Sequence, residues 1–99
     1  MGVYKLSSKT EIDLAAMYEF GIYKFGLTQA QNYFYAMHEA FEVLAENLNL
    51  VRDASAFIEG LKRFSYESHI IFYLQTASGI FILRVLSQRM DYDRNLEND

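Results

Sequence analysis

Few residues in this chain have the type and spacing for acid–base, nucleophilic or metal chemistry. His38 and Glu42 stand four apart, which puts both side chains on one face of a helix. Metal binding needs a third ligand, and none stands at a matching interval, so the pair reads as part of a solvated helix face. His69 opens a strand-like run and reads as a hydrogen-bonded structural histidine. The chain has no cysteine, which excludes disulfides, thiolate ligands and a thiol nucleophile. It has no Gly-rich phosphate loop and no nucleophile elbow. No serine has a histidine and a carboxylate in suitable sequence context. Neither cofactor nor metal is expected.

The remaining candidates are arginines. The net charge is −4, which argues against tight, sequence-independent binding to nucleic acid. The charge is uneven, however. Between Arg52 and Arg89 five basic residues (Arg52, Lys62, Arg63, Arg84, Arg89) face three acidic ones (Asp53, Glu59, Glu67). Alternation places Arg63 with Leu61 and Arg84 with Ile82, on the side of a sheet that helices would leave open. Arginines so placed could stabilise charge in RNA cleavage. That reaction also needs a general acid or base beside them, and the neighbours on this face are aliphatic. Pairing with an acidic protein segment is the simpler use.

The elements that would position these residues are legible. Val3–Leu6 suits a short strand. Ser8 begins S-K-T-E, a capping box closed by Glu11. The helix that follows carries Leu14, Met17, Tyr18, Gly21 and Phe25 at i, i+3, i+4 spacing. Gly21 costs roughly 1 kcal/mol there relative to Ala, a cost best explained by close approach of another backbone. Gly26 ends this helix with a left-handed residue. Thr28 opens a second box, T-Q-A-Q, and the second helix presents Ala30, Tyr33, Met37, Ala40, Phe41 and Leu44 up to about Asn47. The two form an antiparallel hairpin. Leu48–Phe57 reads as an irregular connection. Three strands, Leu61–Tyr66, His69–Gln75 and Ile80–Ser87, then form an antiparallel meander with turns at Glu67–Ser68 and Thr76–Gly79.

The fold expected is therefore α+β and a single domain over residues 1–99, with a polar, frayed tail from about residue 92. No signal peptide and no membrane-length apolar run stand out, which points to the cytoplasm. Hydrophobic residues are 52% of the chain, with eight Tyr and eight Phe, a composition often found at interfaces. The sheet is apolar on both sides. Phe81, Leu83 and Val85 alternate with Ile80, Ile82, Arg84 and Leu86, and Ile71 and Tyr73 alternate with Ile70, Phe72 and Leu74. The helix hairpin can cover only one side. The other calls for a partner, for the tail, or for a second copy.

Several strings resemble a known family. G-L-K-R-F-S-Y-E-S-H-I-I-F-Y (Gly60–Tyr73) and I-L-R-V-L-S-Q-R-M-D (Ile82–Asp91) are similar to the C-terminal half of ParE-type toxins, in the RelE/ParE superfamily of bacterial toxin–antitoxin systems. Tyr4–Ser7, Asp13–Leu14, Phe25–Tyr33 and Leu44–Asn47 match its helical half in order and spacing. The resemblance implies a strand, a helix hairpin and a three-stranded antiparallel sheet. It implies a toxin that binds DNA gyrase and blocks replication, and a ParD-like ribbon-helix-helix antitoxin that wraps it. A homodimer or a larger toxin–antitoxin assembly is a further possibility.

RelE relatives instead cut messenger RNA on the ribosome. Against their pattern Ile70 falls where a catalytic Arg would sit, and Asn95 falls near the catalytic Tyr. Arg89 matches a retained Arg. Ser87 and Leu48 replace the His and Pro of many ParE sequences. The reading is thus a binding toxin without catalytic residues; the alternatives are a ribosome-dependent nuclease and an inactive homologue that only binds antitoxin. The expected antitoxin contacts are Arg63, Ile70, Phe72, Ile82, Arg84 and Arg89. The expected gyrase contacts are Met90, Asp91, Tyr92 and Leu96.

Overall fold

A computed structural model describes residues 3–47, 52–53 and 60–87. The expected elements form in the expected order. Strand β1 (Val3–Leu6) leads into helix α1 (Ser8–Phe25), then α2 (Leu27–Glu46), then β3 (Leu61–Tyr66), β4 (His69–Gln75) and β5 (Gly79–Ser87). A two-residue strand, β2 (Arg52–Asp53), lies inside the segment expected to be irregular. The sheet order is β1-β5-β4-β3-β2. β1 runs parallel to β5, and the other pairs are antiparallel. A parallel neighbour needs a long crossover; here the helix hairpin carries the chain past the sheet and β2, β3 and β4 bring it back to β5 beside β1.

The helix starts differ from the expected boxes. Ser7, not Ser8, caps α1. Its hydroxyl accepts from the Thr10 backbone N–H at 3.0 Å and lies 2.8 Å from the Leu83 carbonyl. Thr10 is fully buried and donates its hydroxyl to the Ile82 carbonyl at 2.9 Å. The cap therefore ties the helix to β5 as well as satisfying its first turn. At α2 the Thr28 box does not form, because the cap is Gly26 and the helix begins two residues earlier than that box would place it. Gly26 alone joins the helices, with φ 93° and ψ 164°. Its N–H donates to Ile22 O and its carbonyl accepts from Ala30 N. That backbone region is open almost only to glycine. Gly21 meets the close approach expected of it: a Cβ there would lie 3.3 Å from Ala30 Cβ. At Gly79 a Cβ would lie 1.8 Å from the Val3 carbonyl oxygen, so β1 can dock there only against glycine.

The main core sits between the hairpin and one side of the sheet. Leu14, Met37, Phe41, Leu44 and Ala45 meet Ile71, Tyr73, Ile80, Ile82 and Val85. Phe25, placed on the buried stripe from sequence, is instead 55% exposed at the hairpin tip. A second cluster lies on the other side of the sheet: Leu61, Ile70, Phe72 and Leu86, with Leu74 and Leu83 packed against it.

Candidate protein-binding face of the sheet

Which residues share the outer side is set by one irregularity. Phe72 pairs with Arg84 and Tyr73 pairs with Ile82, leaving Leu83 as an extra residue on β5. This is a β-bulge, and it breaks the two-residue alternation. Before it, Ile80 and Ile82 face the helices; after it, Val85 faces them while Leu86 joins the outer cluster. Strict alternation had placed Ile82 with Leu86, and the bulge separates them. Ile82 is fully buried under the hairpin, so it cannot belong to an outer binding face.

Arg84 is also not on an open face. Its Nε and Nη2 donate to Asp13 of α1 at 2.8 and 2.9 Å. The same carboxylate accepts from the Val85 backbone N–H at 3.1 Å. The side chains of the pair are only 13% and 12% exposed. A two-pronged arginine–carboxylate contact of this kind fixes geometry as well as charge. β1 ends at Leu6, opposite Ile82, so the β5 edge beyond it needs another partner, and Asp13 serves there. The only sequence trace of this role was the Asp13–Leu14 pair within the family-like helical pattern.

The other expected residues do come together. On β3, Arg63 stands opposite Phe72 of β4 and opposite Arg52 of β2. Leu61 stands opposite Leu74, and Ser65 opposite Ile70. Directly opposed residues share a face, so Arg63, Ile70 and Phe72 lie on one side with Leu61 and Leu74. The expectation that this side would be open is not met at its centre. Leu61 and Phe72 are 0% exposed and Ile70 is 4%. The accessible part is the rim, where Arg63, Leu74 and Leu83 are half-buried and Ser65 is exposed. Arg89, Met90, Asp91, Tyr92, Asn95 and Leu96 lie outside the described residues, as does Leu48.

Both histidines are structural. His38 is not on a solvated face: its Nδ1 lies 2.8 Å from the Tyr4 hydroxyl, and its ring packs against Phe34 and Phe41. His69 Nδ1 lies 2.8 Å from the Tyr33 hydroxyl. Burial lowers the pKa of each below the usual histidine value. Sequence missed both tyrosine partners, which stand 34 and 36 residues away. Among the described residues no group of His, Asp and Glu could hold a metal. No helix among them is long and apolar enough to cross a membrane.

A helix hairpin on one side of the sheet, with the first strand parallel to the last, defines an α+β domain of the RelE/ParE type. Comparison with known proteins carries this further. A family model described as the ParE toxin of the type II toxin–antitoxin system parDE matches residues 4–92. The chain is 34% identical to Toxin ParE1 of Mycobacterium tuberculosis, over 94% of this chain and 96% of that one. It is 28% identical to Toxin ParE1 of Caulobacter vibrioides, over 92% and 94%. Its fold resembles a solved structure titled "Chromosomal ParDE TA system from P. aeruginosa", with a TM-score of 0.74 at 20% identity, covering 88% of this chain and 96% of that one. The chain belongs to the ParE toxin family of type II toxin–antitoxin systems.

Proposed function

We propose that this toxin arrests growth by binding DNA gyrase in the cytoplasm, without catalysis of its own, and that a ParD-like antitoxin silences it. The family match across residues 4–92 carries this reading. The chemistry of position 70 supports it. Where a ribosome-dependent nuclease would need an arginine, Ile70 is buried in an apolar cluster with Leu61, Phe72 and Leu86. A guanidinium there would have to be desolvated among apolar groups.

The antitoxin docks an amphipathic segment on the outer side of β3 and β4. Arg63 pairs with one of its carboxylates at the rim, where Leu74 and Leu83 offer the accessible apolar contact, and the expected contacts Ile70 and Phe72 lie buried beneath it. Arg89 adds a second cation. Ile82 and Arg84 drop out of this surface, the first buried under the hairpin and the second already held by Asp13. The segment from Met90 through Asp91 and Tyr92 to Leu96 contacts gyrase.

Purified toxin should inhibit supercoiling by gyrase, and equimolar antitoxin should restore it. Loss of supercoiling without cut messages supports the reading. Rapid cleavage of messages on induction, before any defect in DNA synthesis, would establish the nuclease instead. Arg63→Ala should weaken antitoxin binding about tenfold and leave gyrase inhibition intact. Deleting residues 90–96 should abolish inhibition and spare antitoxin binding.

A further inference from the structure

The outward side of α1 is unusual for a surface helix, which normally has one apolar side and one polar side. The inward side carries Leu14 and Gly21. Directly opposite, Ile12, Ala16, Phe20 and Tyr23 fall at i, i+4, i+8 and i+11, and all four are exposed. Ile12 is 68% exposed, Phe20 59% and Tyr23 90%. The outer side of α2 is more mixed: Tyr35 and Val43 are exposed there among the polar Asn32, Glu39, Glu42 and Glu46.

We infer that this stripe is the contact between two copies of the chain, with α1 crossing its counterpart antiparallel about a two-fold axis at Ala16. The order of side chains suits that symmetry. An isologous contact requires that if one residue touches another, the second touches the first across the axis. Reading outward from Ala16, Ile12 lies four residues one way and Phe20 four the other. Antiparallel pairing therefore sets Ile12 of each copy against Phe20 of the other, and alanine against alanine where the helices cross. The small residue at the centre allows close approach, and the bulky residues fill the flanks. The antiparallel arrangement also opposes the two helix dipoles favourably.

Area supports the same occupant. From the burial potential of such side chains, about 150–250 Å² for each aromatic, the stripe exposes roughly 500 Å² per copy. That reaches the upper range of a single apolar patch on a monomer. Two copies bury on the order of 1,000 Å², the lower end for a specific interface, so the dimer is a weak one. The stripe carries no block of one charge sign that would favour an oppositely charged partner: Lys9 and Glu19 flank it.

Sedimentation velocity on the full chain tests this. The mass should double with rising concentration, with a midpoint on the order of 10–100 μM. Phe20→Glu and Ile12→Lys, both at exposed positions, should keep the melting temperature and each raise the midpoint at least about tenfold. The double variant should return most of the way, because the introduced lysine of one copy faces the introduced carboxylate of the other. Phe20→Ser provides a neutral check should the charged variant unfold. A chain that stays monomeric throughout overturns the proposal, as does a dimer indifferent to Phe20→Glu. Loss of antitoxin or gyrase binding in Phe20→Glu, with no self-association in the parent, would assign the stripe to that partner instead. A double variant that fails to recover overturns the antiparallel register.

Discussion

The two sides of β4 are buried to the same degree and held in different ways. On the helix side, Ile71 and Tyr73 are covered by α1 and α2, and polar ties pin that cover in place. Thr10 bonds to the Ile82 carbonyl, Asp13 bonds to Arg84 and Val85, Tyr4 reaches His38, and Tyr33 reaches His69. On the outer side, Ile70 and Phe72 sit in a cluster of aliphatic residues. Apolar burial is non-directional, whereas a hydrogen bond specifies one geometry. The helix side is therefore fixed as architecture. On the outer side, the surface proposed for the antitoxin, the described packing is apolar.

The sharpest way to break this contrast is to truncate one ring on each side. Phe41→Ala empties space in the main core and should cost about 3–5 kcal/mol. Phe72→Ala removes an equally buried ring from the outer cluster. If the outer cluster relaxes more readily, its cost falls to the low end of the same range, and chemical denaturation of the free toxin would show the difference. Equal losses would mean that both sides are equally fixed. Antitoxin binding should fall in Phe72→Ala and remain in whatever fraction of Phe41→Ala is folded.

The same contrast explains what could be read from sequence. The element order, the helix hairpin, the three strands of the meander and the inward stripe of α2 all follow from local periodicity. They appear where they were expected. The faces of β4 were also legible, because alternation holds from Ile70 to Leu74. Those of β5 were not. A single extra residue, Leu83, reverses the pattern, and nothing in I-F-I-L-R-V-L marks it: every position is apolar except Arg84. Arg84 therefore looked like an outward cation when its partner, Asp13, lay 71 residues away. The histidine ties were hidden for the same reason. Long-range polar pairs leave no local period, so the polar ties that fix the helix side were the least visible part of it.

The Asp13–Arg84 pair offers a somewhat smaller test. Asp13→Ala leaves a mostly buried guanidinium and the Val85 N–H without this acceptor, and should cost about 3 kcal/mol. Arg84→Ala alone should cost less, since Asp13 keeps its backbone donor. The double variant should cost less than the sum of the singles, the signature of direct coupling. Additive losses, measured by denaturant melts, would show that the contact is not part of what fixes the helix side. Antitoxin affinity should not respond to Arg84→Ala at a temperature where the variant stays folded.

Acid should loosen the helix side selectively. His38 and His69 both have pKa values lowered from 6.5, chiefly by burial. The folded state therefore binds fewer protons than the unfolded state just below pH 6.5. Stability is full above that pH and declines as pH falls toward and through the folded-state values. The nearby Glu42 opposes the shift at His38, and Tyr4 and Tyr33 are the facing hydroxyls. Replacing either histidine by Phe gives up one tyrosine hydrogen bond, about 1 kcal/mol, and should flatten its share of the decline. Thermal melts between pH 7.5 and 5, on the order of one unit either side of the ordinary histidine value, would measure it. A decline unchanged in the double His→Phe variant would place the acid sensitivity elsewhere.

The smallest effect has the opposite sign. Tyr73 is 1% exposed within the main core, and its hydroxyl has no hydrogen-bond partner among the described residues. Burial pushes its pKa up to about 12. A buried donor without a partner loses its hydration and gets nothing in return, a cost of about 1–3 kcal/mol. Tyr73→Phe keeps the ring and removes that cost. It should raise stability by about 1 kcal/mol, less than the full penalty because the hydroxyl's contacts are also lost. The stability loss expected as pH rises above about 10, where the unfolded tyrosine ionises first, should shrink in the same variant. A destabilised Tyr73→Phe would mean that the hydroxyl is satisfied in solution, and that one more polar tie belongs to the helix side than the geometry shows.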